Sequence, residues 1–196
     1  MSHYFTKEND TLKSNEKLIL VKINDKSFSF LTDHGVFSKQ GLDFGSRLLI
    51  ESILEYEGKK VLDVGCGYGP LGIIFKSFNP SSDVSMIDVN DRAIKLSQKN
   101  ATKNKADVNV FYSDGFSEIK EEYDLIFTNP PIRAGKDVIY AFFHGAENHL
   151  KAEGMFFFVM NKKHGAPSAI KKCEEIFSSV EVINKKSGYY IIKCIK

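Results

Sequence analysis

The feature that most constrains this chain is an alternation of strand-like and helix-like segments between residues 59 and 179. KKVLDVG has the apolar run of a buried strand. PLGIIFKSF follows as a helix opened by Pro70, whose fixed φ suits a first helical turn. DVSMIDV is strand-like, and DRAIKLSQKNATKNK has the period of an amphipathic helix. VNVFYS and YDLIFTN are strands, DVIYAFFHGAENHL a helix, GMFFFVM a strand and APSAIKKCEEIFSS a helix. Such alternation predicts an α/β fold: a mostly parallel sheet with helices on both faces. VEVINKK and YYIIKCI, joined by Ser187-Gly188, predict an antiparallel hairpin at the sheet edge. A further hairpin is expected from KLILVKI and KSFSFLT around Asn24-Asp25, and a helix from near Phe44 to Gly58. The length of 196 residues fits one domain, with residues 1–40 as a hairpin extension and 41–196 as the core.

Composition narrows the class of molecule. An apolar fraction of 42% and a charged fraction of 27% are those of a soluble globular protein. No apolar run approaches the roughly 20 residues that cross a bilayer, and the first residues lack an apolar signal core. Cys66, Cys173 and Cys194 are far apart, with no CxxC pair, which favours free thiols in a reducing cytoplasm over disulfides or a zinc site. No metal is called for. Net charge is only +2, but residues 151–196 carry nine Lys against four Glu, and residues 106–130 one Lys against six acids. A basic C-terminal quarter suits either ordinary solubility or an RNA-facing patch.

In parallel sheets ligands bind beyond the carboxyl ends of the strands. Three strand ends carry candidate residues. VLDVGCGYGPLG holds Gly65, Gly67, Gly69 and Gly72, which allow a sharp turn and close approach to a ligand. Gly67 to Gly72 also fits the GxGxxG frame of dinucleotide binders. Asp63 argues against a pyrophosphate there, because a poorly solvated carboxylate seeks a cation such as an ammonium or sulfonium. Asp88, at the end of the second strand, is positioned to accept ribose hydroxyls; Asn90 or Asp91 suits the cap of the next helix. Asp114 of YSDGF can pair with an adenine amine, with Phe116 lining the pocket; an Asp-Gly turn explains the same residues.

The run VLDVGCGYGPLG, IDVN, SDG and TNPPI resembles the class I S-adenosylmethionine-dependent methyltransferases. GVFSKQGLDFGSRLLIE together with NPPIRAGK is similar to the ribosomal RNA guanine-N2 methyltransferases of the small-subunit type, in particular their compact bacterial relatives. The resemblance covers most of the chain. It implies a Rossmann-like fold with a seven-stranded sheet, S-adenosylmethionine as cofactor, and small-subunit ribosomal RNA or a ribosomal particle as partner. It implies a cofactor site formed by Asp63, Gly65, Cys66, Gly67, Gly69, Asp88, Val89, Asn90, Asp114, Gly115 and Asn129. Ser46 touches the methionine end of the cofactor or caps its helix.

It also gives the NPP motif a chemical role, with Asn129, Pro130 and Pro131 as the catalytic set. An exocyclic amine is a weak nucleophile because its lone pair is delocalised into the ring. The Asn129 side-chain oxygen and the Pro130 carbonyl can accept its two hydrogens. Each precedes a proline and is therefore biased towards extended backbone, which preorganises both acceptors. Many nitrogen methyltransferases have an aromatic residue after NPP; this chain has Ile132. A base-stacking ring is then expected elsewhere, with Phe37, Phe44 and Tyr140 as candidates. Ile132, Arg133 and Lys136 are expected against substrate, the two cations on RNA phosphates. Asn161, Lys162, Lys163 and His164 can line the same rim. Adenine, a protein glutamine or a small molecule are alternative acceptors. An NAD-dependent oxidoreductase or a non-catalytic RNA-binding module are alternatives of other classes.

Overall fold

The computed structural model describes residues 14–36 and 41–196. A hairpin of β1 (Lys17–Ile23) and β2 (Lys26–Thr32) is followed by α1 (Phe44–Ile53). The alternating section then runs β3 (Lys60–Val64), α2 (Pro70–Phe78), β4 (Asp83–Asp88), α3 (Asp91–Lys103), β5 (Asn109–Tyr112) and β6 (Tyr123–Thr128). It continues through α4 (Lys136–His149), β7 (Leu150–Asn161) and α5 (Ala166–Glu174), and closes with β8 (Ser179–Lys186) and β9 (Tyr189–Ile195). The sheet has seven strands in the order β5-β4-β3-β6-β7-β9-β8. Strands β3 to β7 are parallel, and β9 runs antiparallel to both β7 and β8. Strand order reverses between β3 and β6, the switch point at which this architecture opens a crevice.

Period-2 alternation sends successive strand residues to opposite faces. Val61, Leu125, Phe127 and Val159 pack with α1, α2, α3 and the hairpin. Leu62, Ile126, Phe156 and Phe158 pack with α4 and α5. Because both faces are covered, the strands are apolar almost throughout, as the sequence predicts. The cysteines are free and buried. No helix among the described residues is long and apolar enough to cross a membrane.

The N-terminal hairpin is bound into the core. Val21, Ile23, Phe28 and Phe30 bury their side chains in the same cluster as Leu49 and Phe75. The free edge of β2 is closed by Asn100 of α3 and by Asn104, the C-cap of that helix. Leu31 N donates to Asn100 Oδ1 at 2.7 Å, and Asn100 Nδ2 donates back to Leu31 O at 2.9 Å. Asn104 repeats the pattern on Ser29, at 3.0 and 2.9 Å. Asn100 Nδ2 also reaches the Tyr68 carbonyl at 2.8 Å, so one buried amide ties the hairpin to the glycine loop.

Element boundaries differ from expectation at α5, which ends at Glu174 rather than Ser179, at α1 and at β7. Helix α1 ends at Ile53 rather than Gly58, with Tyr56 N turning back onto Ile53 O at 3.1 Å. Gly58 serves packing instead: a Cβ there would lie 3.2 Å from Leu125 Cβ. Strand β7 starts at Leu150, and its register against β6 shifts between Tyr123 and Leu125, near Glu153 with φ +60°. This is a bulge that periodicity alone does not reveal.

Candidate active site

A cavity of ≈ 730 Å³ opens at the carboxyl ends of β3, β4, β6 and β7. Its floor is the glycine loop. Gly65 N and Cys66 N both donate to Ile87 O at 2.9 Å, pinning the loop to β4. Gly65 and Gly67 have φ of +71° and +59°, and a Cβ on either would meet nothing within 4 Å. They are needed for conformation, at roughly 1–2 kcal/mol each for an L side chain, and they leave open space above the backbone. Gly69 (φ +91°) and Gly72 are needed for packing as well: added Cβ atoms would stand 2.4 Å from Ser97 Oγ and 2.7 Å from Met86.

Asp88 joins the loop to β4. Its Oδ2 accepts Gly67 N at 2.8 Å and its Oδ1 accepts Asn90 N at 2.9 Å. Burial in the wall pushes its carboxyl up, against the pull of the Asn90, Gly67 and Val89 amides. The three amides leave the carboxylate acceptor capacity for a further donor. Val89, Asp114 and Gly115 line the cavity beyond it. Phe116 does not: it packs on Gly145 and stacks on His149 at 5.1 Å, while Phe142 lines the wall in its place.

Asp63, Gly69 and Asn90 lie behind the lining rather than in it. Asn90 caps α3, accepting Arg92 N at 2.9 Å and Ala93 N at 3.3 Å, and donates to Gly35 O at 3.1 Å. Asp63 is wholly buried under the loop. Its Oδ2 accepts Gly72 N at 2.9 Å, and its Oδ1 has no partner. Burial raises this carboxyl to about 8, with the nearby Asp88 charge adding to it.

The opposite wall carries the NPP corner. Thr128 Oγ1 donates to Val64 O at 2.7 Å and locks the end of β6 to β3. Asn129 Nδ2 donates to Ser46 Oγ at 2.9 Å. Ser46 is therefore not the cap of α1; that is Asp43, whose Oδ1 accepts Ser46 N at 3.0 Å. With Nδ2 held by Ser46, Asn129 Oδ1 remains as an acceptor. The Pro131 carbonyl takes Ala134 N at 2.9 Å, whereas no described residue donates to Asn129 Oδ1 or to the Pro130 carbonyl. Asn129, Pro130, Pro131, Ile132 and Arg133 all line the cavity; Lys136, exposed at the start of α4, does not.

The aromatic residue at the mouth was missed from sequence. Tyr189 lines the cavity, 5.5 Å from the ring of Phe44, which is 40% exposed. Its ring packs on Gly45, where a Cβ would lie 3.1 Å from Tyr189 Cε1. Tyr140 packs on Phe143 at 5.9 Å, outside the lining, and Phe37 lies outside the described residues. Topology was the signal available: β9 returns antiparallel to β7, so it begins at the cavity end, with Tyr189 paired to Asn161. Asn161 and His164 also line the mouth. Exposed Arg133, Lys136, Lys162, Lys163, Lys185 and Lys186 surround it, and the ion pairs of the described residues involve none of them.

Comparison with known proteins bears on this geometry. The chain is 48% identical over its whole length to the uncharacterized protein YbxB of Bacillus subtilis. It is 31% identical to ribosomal RNA small subunit methyltransferase C of Psychromonas ingrahamii, over 89% of this chain and 50% of that protein. The chain thus spans about half the length of the curated methyltransferase C relatives it matches. The T. thermophilus 16S rRNA guanine-N2 methyltransferase RsmC, solved with AdoMet and guanosine, superposes with a TM-score of 0.84. That match has 27% identity and covers 97% of this chain and 53% of the other. A match to the methyltransferase small domain runs over residues 27–193, from the second hairpin strand to β9. It takes in the glycine loop, the NPP corner and Tyr189 together and removes the dinucleotide-binding interpretation of the glycines: the chain belongs to the methyltransferase small domain family.

Proposed function

We propose that this chain transfers a methyl group from S-adenosylmethionine to the exocyclic N2 of a guanine in small-subunit ribosomal RNA. The observation that carries the proposal is the pair of unclaimed acceptors, Asn129 Oδ1 and the Pro130 carbonyl, on the wall facing a glycine-floored cavity. The named relatives and the solved guanosine complex support the substrate class.

The residues present fit the cofactor. Open space above Gly65 and Gly67 admits a nucleoside close to the backbone, and Asp88 keeps acceptor capacity for a ribose hydroxyl. Val89, Asp114 and Phe142 are at hand for the base. When bound, the cofactor supplies a methyl carbon activated by a sulfonium. The chain's own part is positioning. Asn129 Oδ1 and the Pro130 carbonyl accept the two N–H bonds of the amine and favour positive charge on its nitrogen. Ser46 stops the Asn129 amide from turning, so the acceptor is fixed before substrate arrives. The proton leaves to water once the amine is cationic. Tyr189, backed by Phe44, offers the stacking surface that Ile132 does not. A base must leave its stack to reach this depth, so a flipped or single-stranded guanosine is the substrate form.

The test is to incubate the protein and methyl-labelled S-adenosylmethionine with total RNA from a strain lacking its gene. Digestion to nucleosides should yield labelled N2-methylguanosine. Label confined to adenosine, or found only in protein, would overturn the assignment.

A further inference from the structure

Among the described residues the exposed large apolar side chains are Leu18 at 56%, Leu20 at 80%, Phe44 and Val138. Phe44 lies against Tyr189 and Val138 lines the cavity, so the site accounts for both. Leu18 and Leu20 stand on β1, and no residue of that strand lines the cavity. The backbone of β1 is open at the same place. Ser29 and Leu31 of β2 turn their N–H and C=O outward to Asn104 and Asn100. Their antiparallel partners, Leu20 and Leu18, therefore turn theirs outward on the opposite side. No described residue bonds them, whereas the next outward carbonyl, that of Lys22, accepts from Arg47 Nη1 at 2.8 Å.

The other strand edges are blunted. Strand β5 is four residues long, and Gln98 Nε2 donates to its Val110 carbonyl at 3.2 Å. Strand β8 is bulged between Val182 and Asn184 and carries Glu181, Lys185 and Lys186. Strand β1 pairs with β2 without a bulge and leaves Leu18 and Leu20 exposed. A bare strand edge is a template for another strand. The outward series of β1 and the residue before it reads Glu16, Leu18, Leu20, Lys22. Reversed, this series matches itself. An antiparallel copy centred on Ile19 sets Leu18 opposite Leu20 and Glu16 opposite Lys22, and it uses the N–H and C=O of both leucines. A copy centred on Leu20 would set Leu18 against Lys22 and call on the carbonyl that Arg47 holds. One centred on Leu18 would set Leu20 against Glu16.

We propose that the hairpin is a self-association surface: β1 of two copies pairs antiparallel about a two-fold axis at Ile19, joining the two hairpins into one sheet and covering Leu18 and Leu20 of each. The contact is isologous, so it closes at the dimer. It is small, which puts the dimer in the weak, micromolar class. Both cavities stay open, because residues 16–22 lie outside the lining.

Sedimentation equilibrium of the whole chain should show monomer and dimer exchanging in the micromolar range. Leu20→Lys, at a side chain exposed in the monomer, should raise the dissociation constant about tenfold or more and leave the melting temperature of the dilute protein unchanged. Glu16→Lys and Lys22→Glu each set like charges opposite one another and should weaken pairing several-fold. Together they exchange the signs and should restore it, which the loss of the Glu16 contact with Lys99 would not do. Cysteines read the register, the native ones being buried. Under oxidised glutathione, a mixture of Leu18→Cys and Leu20→Cys should crosslink between chains faster than either variant alone, since these positions stand opposite at a spacing a disulfide spans. Crosslinking no faster in the mixture would overturn the register and the pairing with it. A dimer indifferent to Leu20→Lys would lie on another surface and overturn the proposal. A chain that stays monomeric throughout would leave the edge to another occupant, its own first residues or a foreign strand, and overturn it too.

Discussion

The two ends of the central sheet treat polar groups in opposite ways. At the end where β3, β6 and β7 begin, charges are matched. Lys60 meets Glu121 at 2.8 Å, Lys151 meets Asp124 at 2.8 Å, and Lys196 at the end of antiparallel β9 reaches Glu147 at 3.9 Å. Asp124 also accepts Lys60 N at 2.7 Å. At the other end, cations ring the cavity with no acidic partner, two acceptors at the NPP corner await donors, and buried atoms of Asp43, Asp63 and Tyr68 stay unpaired. Exposed ion pairs contribute little stability each, so the matched end is mainly tidy. The unmatched end is informative, because buried polar groups without partners are costly unless something else supplies the partner. The difference marks which end of an otherwise regular sheet is shaped for ligands.

The sharpest attempt to break this comparison is at the NPP corner. Asn129→Ala should lower kcat roughly a hundred- to a thousand-fold, as expected for one preorganised acceptor, with cofactor affinity retained. Single-turnover rates alongside cofactor titration check it; loss of both together would show that the residue only supports the floor. Next in size is Tyr189→Ala. Base–aromatic stacking of about 1–3 kcal/mol should appear as an RNA KM about tenfold higher or more, with Tyr189→Phe close to the unchanged protein. Smaller effects distinguish the cations at the two ends. Lys163→Ala and Lys186→Ala should each reduce the slope of log binding against log salt by about one, whereas Lys60→Ala, a paired cation at the far end, should not alter it. Equal effects at both ends would dissolve the distinction.

A separate readout of the two ends is the pH dependence of stability, where two aspartates oppose each other. Asp63 has its folded carboxyl raised from 3.8 to about 8 by burial. It holds a proton in the folded chain that it loses on unfolding anywhere between those values, so stability falls as pH rises through that window. Burial also works against the Asp124 carboxylate, but the Lys151 ammonium and the Lys60 and Lys59 amides outweigh it and hold its carboxyl low. Its contribution is present above the ordinary carboxylate pKa of 3.8 and is lost as pH falls towards its lower folded value. Thermal melts of the ligand-free protein should show Asp63→Asn flattening the decline towards alkaline pH, and Asp124→Asn flattening the decline towards acid.

Much of this was legible in the residues. Apolar runs and a 3.6-residue period gave every strand and helix, because the sheet is covered on both sides and each element must bury a defined face. The glycine loop, Asp88 and the NPP corner were legible because their chemistry is local: a turn that needs positive φ, a carboxylate at a strand end, two stiffened peptides. What was not legible depends on distance along the chain. Tyr189 reaches the mouth only because β9 returns beside β7, 28 residues after Asn161 by number. Phe116 looked like a pocket residue from its neighbour Asp114, yet a glycine at 145 leaves a slot that its ring fills. Ser46 fitted two local roles, and its actual partner is 83 positions away. The helix-capping role belongs to Asp43, three residues earlier, which no local rule ranked above it.

The asparagines of α3 and its C-cap have a consequence for anyone who would trim or swap this molecule. Asn100 grips the hairpin with its oxygen and one amide hydrogen, and the carbonyl of Tyr68 with the other. An N-terminal deletion past β2 would therefore do more than shorten the chain. It would strip an edge strand from its side-chain clamp, uncover Phe30 and the ring of Tyr68 behind it, and slacken the turn on which the nucleoside rests. A graft of the catalytic strands onto another scaffold should carry the hairpin along, as a keystone travels with its arch.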